Sequence, residues 1–586
     1  MVEQLSGGGL RLLAKWMGQN SRTLTALFFA LLAVLGMARA PFAAPGLDDG
    51  PERRILALNI RAYAAFFGQA DAPFFAGLPE GEIAADIERD HGQARLYPVW
   101  PLINALERAG RPGAASAVLY GYCHLLFLLG AFGVYAILHR LAGSRAAGVL
   151  GALLLASTPP LYASSFYNTK DTALLSLCLI TFWLGLRFWE GGGFGSAVWF
   201  GLAGAFAFNS RLLGAAAFGL MGLGYLALLT LQKRWSARAF WRGAAAVGAF
   251  AGFWLLLTPA AWAGPLEFLR YQLSATSSFD AARWGGWVLY RGAAYNAQQN
   301  PIPWHYVPWL MLITTPLLVL ALAAAWPVLL AVKNGRRAAG WQSAETVVTA
   351  LLALFFALPV GYAMLRRPNL YNGWRHLYFV YGSIVLYAGL AAARLWQLAK
   401  GAAPGRRRAL CGLLAAALAA HLGYYGGFSA YNGINSCGYF NLLAGASPEE
   451  RYEADYWNIG LRGVMEEMQK RDPAFSAVPL TPATRISASW YGIQNLLPPM
   501  AEGCEEVAWN RRGRARYVVE NVSCSAADAL HPSWDEADPA VAEWRRVMAG
   551  QQPVYELRCG RAVLWRVYQN PQYNGPSPET RAQPGG

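Results

Sequence analysis

About eleven apolar stretches, most near the ~20 residues that one membrane-crossing helix needs, run along the first three-quarters of the chain. They fall at roughly 23–40, 115–138, 146–162, 172–188, 197–209, 212–231, 244–262, 306–331, 346–364, 379–396 and 409–427. The apolar residues are clumped rather than alternating, so they read as buried or lipid-facing helices and not as strands. The stretches at 146–162 and 197–209 are short for a full crossing, which calls for tilt, a re-entrant path or extension into the flanking loops. A backbone in lipid must satisfy its own hydrogen bonds, and a row of such segments therefore specifies an α-helical polytopic membrane protein with about 11 transmembrane helices.

Composition agrees. Hydrophobic residues make up 55% and charged residues 14%, where a soluble protein carries about a quarter charged. That balance excludes disorder, a coiled coil and a small secreted scaffold. The net charge of +15 is the size of a nucleic-acid footprint, so its placement decides what it means. Lys and Arg fall in alternate short loops: Arg11, Lys15 and Arg22; Arg140 and Arg145; Lys233, Arg234, Arg238 and Arg242; Lys333, Arg336 and Arg337; Arg394, Lys400 and Arg406 to Arg408. Basic short loops mark the cytoplasmic side, which puts the N-terminus inside and the C-terminus outside. The inner segments then hold 18 Lys and Arg against Glu3, Glu190 and Glu345, and the remainder balances. The whole excess lies on the inner face, against anionic lipid, so the expected partner surface is membrane and not nucleic acid. Met37-Ala38-Arg39-Ala40 has a faint signal-peptidase look, but the apolar run before it is long for a signal peptide and favours a retained helix.

The expected organisation is a membrane part over 1–427, including a large first outer loop at 41–114. A small C-terminal α/β or α+β domain follows at 428–575, and a loose Pro- and Gly-rich tail at 576–586. In the first loop Ile55, Leu58, Ala62 and Phe66 recur at helical spacing, as in a helix lying in the membrane interface, and a second such helix is expected after Pro101 through Leu102, Ala105 and Leu106. Tyr517-Val518-Val519 and Ala562-Val563-Leu564-Trp565 read as strands. Cys123, Cys178 and Cys411 read as packing residues within spans. Cys437, Cys504, Cys524 and Cys559, in an oxidising compartment, allow up to two disulfides in three pairings.

Five polar clusters sit on the expected outer side. Asp48-Asp49, with Glu52 nearby, either opens a helix favourably, supplies a general base, or holds a divalent cation together with Asp171. Ser165 to Asp171 places Asn168, Lys170 and Asp171 at the mouth of a helix, where an ion pair capping that helix through Asp171 or Thr172 competes with a functional role. Arg211, in Asn209-Ser210-Arg211, runs against the topology bias and suits an anionic phosphate. Arg366 to His376, containing Tyr371, Trp374, Arg375 and His376, could grip a phosphate by charge and a sugar ring by stacking. Asn300 to Tyr306 brings His305, either lining a site or hydrogen-bonding in the interface.

Together these motifs resemble C-type membrane glycosyltransferases, in particular bacterial family 39-like proteins of the protein O-mannosyltransferase and aminoarabinose transferase superfamily. The resemblance runs through Asp48-Asp49-Gly50-Pro51, Ser165 to Asp171, Trp304 to Pro308 with Leu312 to Pro316, Tyr371 to Val380, and Ala430-Tyr431-Asn432 with Tyr452 to Trp457. It covers the chain to about residue 470. The family's acidic pair is Asp-Glu where this chain has Asp48-Asp49, and its Asn-Pro is Asn168-Thr169 here, so the identity of the base stays open between Asp48 and Asp49. The resemblance implies an inverting transferase at the outer face of a bacterial inner membrane. Its donor would be a polyprenyl-phosphate sugar, and its acceptor a lipid, glycan or protein hydroxyl. Asp48 or Asp49 would be the base and Lys170, Arg211, Arg375 and His376 the phosphate contacts, with Glu52, Asn168, Asp171, His305, Tyr371 and Trp374 in support. On position alone, the first-loop interfacial helices and the tail frame the acceptor entrance, and deletion of 440–586 is expected to spare folding of the membrane part but alter acceptor use. The main rival is a transporter or flippase for a lipid-linked sugar. Transporters place ionisable residues near the midplane, whereas here they gather at one face. A non-catalytic assembly subunit is the other alternative.

Overall fold

The computed structural model describes residues 19–277, 287–296, 299–335, 337–370, 372–480, 486–496, 504–530 and 539–574. Arg11, Lys15, Arg336, Tyr371 and the 576–586 tail lie outside the described residues. Helix α1 is Ser21–Arg39, α2 Asp49–Phe66, α3 Trp100–Arg108, α4 Pro112–Ala142, α5 Arg145–Ala156, α6 Pro159–Tyr167, α7 Asp171–Glu190 and α8 Phe194–Ser210. There follow α9 Ala215–Leu231, α10 Ala237–Leu257, α11 Pro265–Ser277, α12 Tyr306–Thr314, α13 Leu317–Asn334, α14 Ala344–Arg366, α15 Tyr381–Gly401 and α16 Pro404–Asn432.

Every apolar stretch lies on helix. Among the described residues nine helices are long and apolar enough to cross a membrane, or up to ten if one bent pair counts as a span. The bent pair is α5 with α6, which meet at 71°. Thr158 stands before Pro159-Pro160, and the residue before a proline is pushed out of helical geometry while proline itself starts a helix well. The short 146–162 stretch is therefore two helices, and the bend leads the chain into Asn168. The 306–331 stretch also divides, at Thr315-Pro316 between α12 and α13. The 197–209 stretch forms only the 17-residue α8.

The centre of the bundle is α4, α7 and α15. Small residues allow close approach where apolar attraction between helices is weak in lipid. A Cβ on Gly130 of α4 would sit 2.8 Å from the Ser176 Cα of α7. The first-loop helix differs from its expectation. Ile55 and Leu58 of α2 are buried at 0% and 2% exposure. They pack with Phe208, Trp254 and Phe268 from α8, α10 and α11, so protein and not lipid covers this apolar face. Only its far end, at Phe66, stays open. In α3 the buried residues are Trp100 and Ile103, and Leu102 faces outward.

The C-terminal region holds α17 (Leu461–Arg471) and a five-stranded sheet of β3 (Ser476–Pro479), β4 (Glu505–Glu506), β5 (Tyr517–Asn521), β6 (Tyr555–Cys559) and β7 (Ala562–Gln569), after an earlier hairpin of β1 (Val288–Tyr290) and β2 (Ala293–Tyr295). The order is β4-β3-β5-β7-β6, with β3 parallel to β4 and β5, and β7 antiparallel to its neighbours. Both expected strand pieces lie in it. The stretch before the sheet is sewn to the bundle. Asn441 Nδ2 donates to the Leu312 and Thr315 carbonyls at 2.7 and 2.8 Å, and Trp309 Nε1 donates to the Tyr452 hydroxyl at 2.9 Å. One apolar cluster runs from α4 and α7 through Phe440 to Trp565. Among the described residues Cys437, Cys504, Cys524 and Cys559 form no disulfide, which corrects the expected disulfides. Cys437 and Cys559 are near enough to interact electrostatically but are not bonded.

Candidate functional site

The N-terminus of α7 gathers chain from six places. Asn168 builds the turn: its Oδ1 accepts from the Asp171 N–H at 2.9 Å and its Nδ2 donates to Asp171 Oδ2 at 2.9 Å. Asn168 therefore does the capping that was expected of Asp171 or Thr172, which releases the Asp171 carboxylate to face cations. Arg211 Nη2 lies 3.1 Å from Asp171 Oδ1 and Arg375 Nη1 3.1 Å from Oδ2. Lys170 Nζ reaches Asp48 Oδ2 at 2.8 Å and Glu52 Oε1 at 3.1 Å. Arg375 Nη1 is also 3.8 Å from Asp48.

The two neighbouring acids differ. Asp49 accepts from Arg53 at 2.7 Å and from the Tyr120 hydroxyl at 3.3 Å, and its side chain is 10% exposed. Asp48 makes no helix-capping bond, turns to Lys170, and is 32% exposed. The other carboxylates of the cluster, Glu52 and Asp171, are 4% and 2% exposed, which leaves Asp48 as the accessible acid. Burial pushes its pKa up, but Lys170 and Arg375 outweigh that and hold it below the ordinary carboxylate value. Glu52 is likewise held well below its usual value, because Lys170, His91 and Arg95 overcome burial. Burial works against the Lys170 charge, and Glu52 with Asp48 keeps its pKa raised.

Three members were not anticipated from sequence. Gln93 donates to Glu52 at 2.7 Å, Arg95 sits 3.1 Å from Glu52, and His91 Nδ1 is 3.2 Å from it. Their loop lies against α8 at Gly92, where any Cβ would strike the Asn209 carbonyl. A motif could have flagged a further pair: Trp457 lies under the Arg375 guanidinium at 4.8 Å, with Tyr456 at 5.8 Å. Glu453, in the same segment, accepts from Asn372 Nδ2 at 3.0 Å, three residues before Arg375.

Other expected residues stand elsewhere. His305 Nδ1 bonds the Tyr290 hydroxyl at 2.6 Å and not a member of the cluster. Trp374 is 5% exposed, donates to Thr314 at 2.9 Å and packs edge-on against Tyr378, so its ring has no face left for a sugar. Arg367 donates to the Ile302 and Pro301 carbonyls. His376 and Arg211, with Asp90 and His91, line a cavity of about 650 Å³ whose other lining includes Leu220, Leu354, Phe355 and Leu358. Among the described residues no group of three or more His, Cys, Asp or Glu could hold a metal ion. Asp48, Asp49 and Asp171 face cationic side chains instead.

In sum of charge, Lys170, Arg95, Arg211 and Arg375 confront Asp48, Glu52 and Asp171, which leaves an excess of cation beside an apolar groove. That arrangement can accept a proton at Asp48 and bind a phosphate through guanidinium and ammonium.

Residues 112–259 match the family model described as dolichyl-phosphate-mannose-protein mannosyltransferase. No curated protein sequence matches the chain. Among solved structures it is similar to ArnT from Cupriavidus metallidurans bound to undecaprenyl phosphate, at 13% identity and TM-score 0.43 over 95% of this chain and 99% of that one. For the same protein in the apo state the values are 13%, 0.46, 95% and 100%. For the arabinofuranosyltransferase AftD from mycobacteria they are 14%, 0.42, 94% and 40%. The resemblance read from the motifs thus meets a family match over residues 112–259, and the chain is a multi-pass helical membrane protein with a C-terminal sheet region.

Proposed function

We propose that the protein transfers a sugar, with inversion, from a polyprenyl-phosphate carrier to an acceptor hydroxyl. The transfer takes place at the membrane face that bears Asp48, the outer face of a bacterial inner membrane. The observation that carries this reading is the junction of one accessible carboxylate, a cation-rich pocket and an apolar groove. The groove takes the first isoprene units of the carrier, and Arg211 and His376 in its lining receive the phosphate. Asp48 takes the proton of the acceptor hydroxyl as the oxygen attacks the anomeric carbon from the side opposite the phosphate. Arg375, Arg211 and Lys170 meet the charge that grows on the departing phosphate, a stronger interaction in the transition state than before it. Asp171 and Glu52 position those cations. The family description names a polyprenyl-phosphate sugar, which agrees with this donor class. A transporter is less well supported, because the cluster lies at the ends of helices and not at their middles.

The test is sugar transfer from a radiolabelled polyprenyl-phosphate sugar by the purified full chain in lipid. Asp48→Asn is expected to lose about 10²- to 10⁴-fold in kcat, the usual worth of a positioned base. Asp49→Asn is expected to keep transfer and lose some stability, since Arg53 loses one of its two carboxylate partners and keeps Glu107. Full transfer by Asp48→Asn would remove the base from this mechanism.

A further inference from the structure

The other end of α7 carries a separate collection of cations. Twenty residues of helix put it ~30 Å from Asp171, on the opposite side of the membrane part. A groove of about 230 Å³ opens there between the ends of α7, α9 and α10, with Arg234, Arg238, Arg242, Ser236 and Gly191 in its lining. Arg242 is 7% exposed. Its Nη2 donates to the Phe188 carbonyl and to Ser196, its guanidinium lies 5.0 Å from the Phe188 ring, and its Nε is buried with no hydrogen-bond partner. Arg238 donates to the Gly192 carbonyl at 2.7 Å. Among the described residues none of the three arginines is paired with a carboxylate. The one acid in the lining, Glu190, is held by Arg140.

A cation beside the last carbonyls of a helix is favourable by itself, and this accounts for Arg242 against Phe188. It does not account for two more guanidiniums closing the same groove, whose one lining acid is already held by Arg140. Basic loop residues that only orient a membrane protein stand in water, whereas Arg242 lies buried at the groove's back. A buried charge without a counter-charge is costly, and an anion in the groove would remove that cost. Its depth is set by neighbours: Trp235, Phe240 and Trp241 are 54%, 60% and 61% exposed, as aromatic side chains are at the headgroup level.

We propose that this groove binds a phosphate group, and that the phosphodiester of an anionic membrane lipid supplies it, held by Arg242 at the back and Arg234 and Arg238 at the rim. The site is independent of the Asp48 cluster and of the transfer reaction.

The test uses the full chain purified in neutral detergent, with native mass spectrometry and thermal unfolding as readouts. The probes are phosphatidylglycerol, phosphatidylcholine and inorganic phosphate. Phosphatidylglycerol is expected to remain bound and raise the melting temperature, and phosphatidylcholine to do neither. Arg242→Gln and the double variant Arg234→Gln/Arg238→Gln are each expected to weaken the binding, by about fivefold per arginine removed. The double variant changes two exposed residues and guards against a folding defect at Arg242. If inorganic phosphate alone gives the same protection and the same variants abolish it, the phosphate site stands and its source is free phosphate. Equal retention of both lipids, or unchanged phosphatidylglycerol binding by the double variant, overturns the proposal.

Discussion

Helix α7 has a charge cluster at each end, and the two are built in opposite ways. At the Asp171 end each buried cation faces a carboxylate. The partners come from remote parts of the chain: Asp48 and Glu52, Arg95, Lys170, Arg211 and Arg375, with Trp457 beneath. At the Glu190 end, Arg234, Arg238 and Arg242 come from one loop and the helix after it, and they meet carbonyls and rings instead of acids. The first cluster is closed within the protein and held in one geometry, which chemistry requires. The second is open in charge, which suits capture of a ligand. Density of arginine therefore does not separate the two ends; how each guanidinium is answered does.

The comparison can be broken by removing what only one end depends on. Deleting 440–586 removes Asn441, which bonds the turn between α12 and α13, and Trp457 under Arg375. The expectation from position, that the membrane part folds without this region, is revised by those contacts. Transfer is expected to be abolished, and a truncated chain that still transfers sugar would show the near cluster to be self-sufficient. Next in size is Asp171→Asn. It leaves the buried Arg375 and the part-buried Arg211 without the carboxylate they share, at about 3 kcal/mol by denaturant unfolding. Arg242→Gln, at the other end, removes a helix-end cation at about 1 kcal/mol. Equal costs at the two ends would erase the distinction. Between these two in size is Arg375→Lys. An ammonium keeps the charge but loses the planar guanidinium that lies over Trp457 while its Nη1 reaches Asp171 and Asp48. A desolvated cation–π contact is worth ~2 kcal/mol, so kcat is expected to fall more than tenfold.

Much of the near cluster was legible in sequence. Asp48, Glu52, Asn168, Lys170, Asp171, Arg211 and Arg375 stand out because charge at the ends of apolar segments is rare. The choice between Asp48 and Asp49 was not legible. Adjacent residues on a helix start point roughly 100° apart, and only the positions of Arg53, Tyr120 and Lys170 show which one faces the pocket. Arg95 and His91 carried no local signal either; their importance comes from Glu52, about forty residues away. Burial misled in the other direction at Trp374 and His305. Both lie in polar, aromatic segments of the kind that line sites, yet packing has turned them to Thr314 and Tyr290. The amphipathic pattern of α2 was read rightly as a helix and wrongly as lipid-facing, since hydropathy cannot tell lipid from the apolar walls of α8 and α10.

The finest distinction concerns Glu453, through which the region after the last span holds the near cluster. Its Oε1 accepts from Asn372, and Gly373 beside it donates to the Tyr306 hydroxyl at 3.1 Å. Asn372 and Gly373 have φ of 57° and 78°, a left-handed pair that turns the chain into Arg375. Burial pushes the Glu453 carboxyl up to about 8, against the opposing effects of Asn372, Gly373 and Arg375. Tyr306 and Tyr456 are the other titratable groups that feel it. At neutral pH it is thus a neutral acceptor, and it does not compete with Asp48 and Asp171 for Arg375. An unfolded chain loses this proton near pH ~4.3, so the native state holds more protons between there and about 8. Stability therefore falls as pH rises through that window. Glu453→Gln keeps a neutral oxygen for Asn372 and cannot titrate. Its unfolding free energy should lose this component of the slope, and its kcat should stay within a few-fold of wild type at pH 7 and decline less above pH 8. Parallel pH profiles for the two proteins would mean that the carboxyl is already ionised. In that case Glu453 would offset the one cation that the Asp48 end holds in excess, and Arg375 would be shared among Glu453, Asp48 and Asp171.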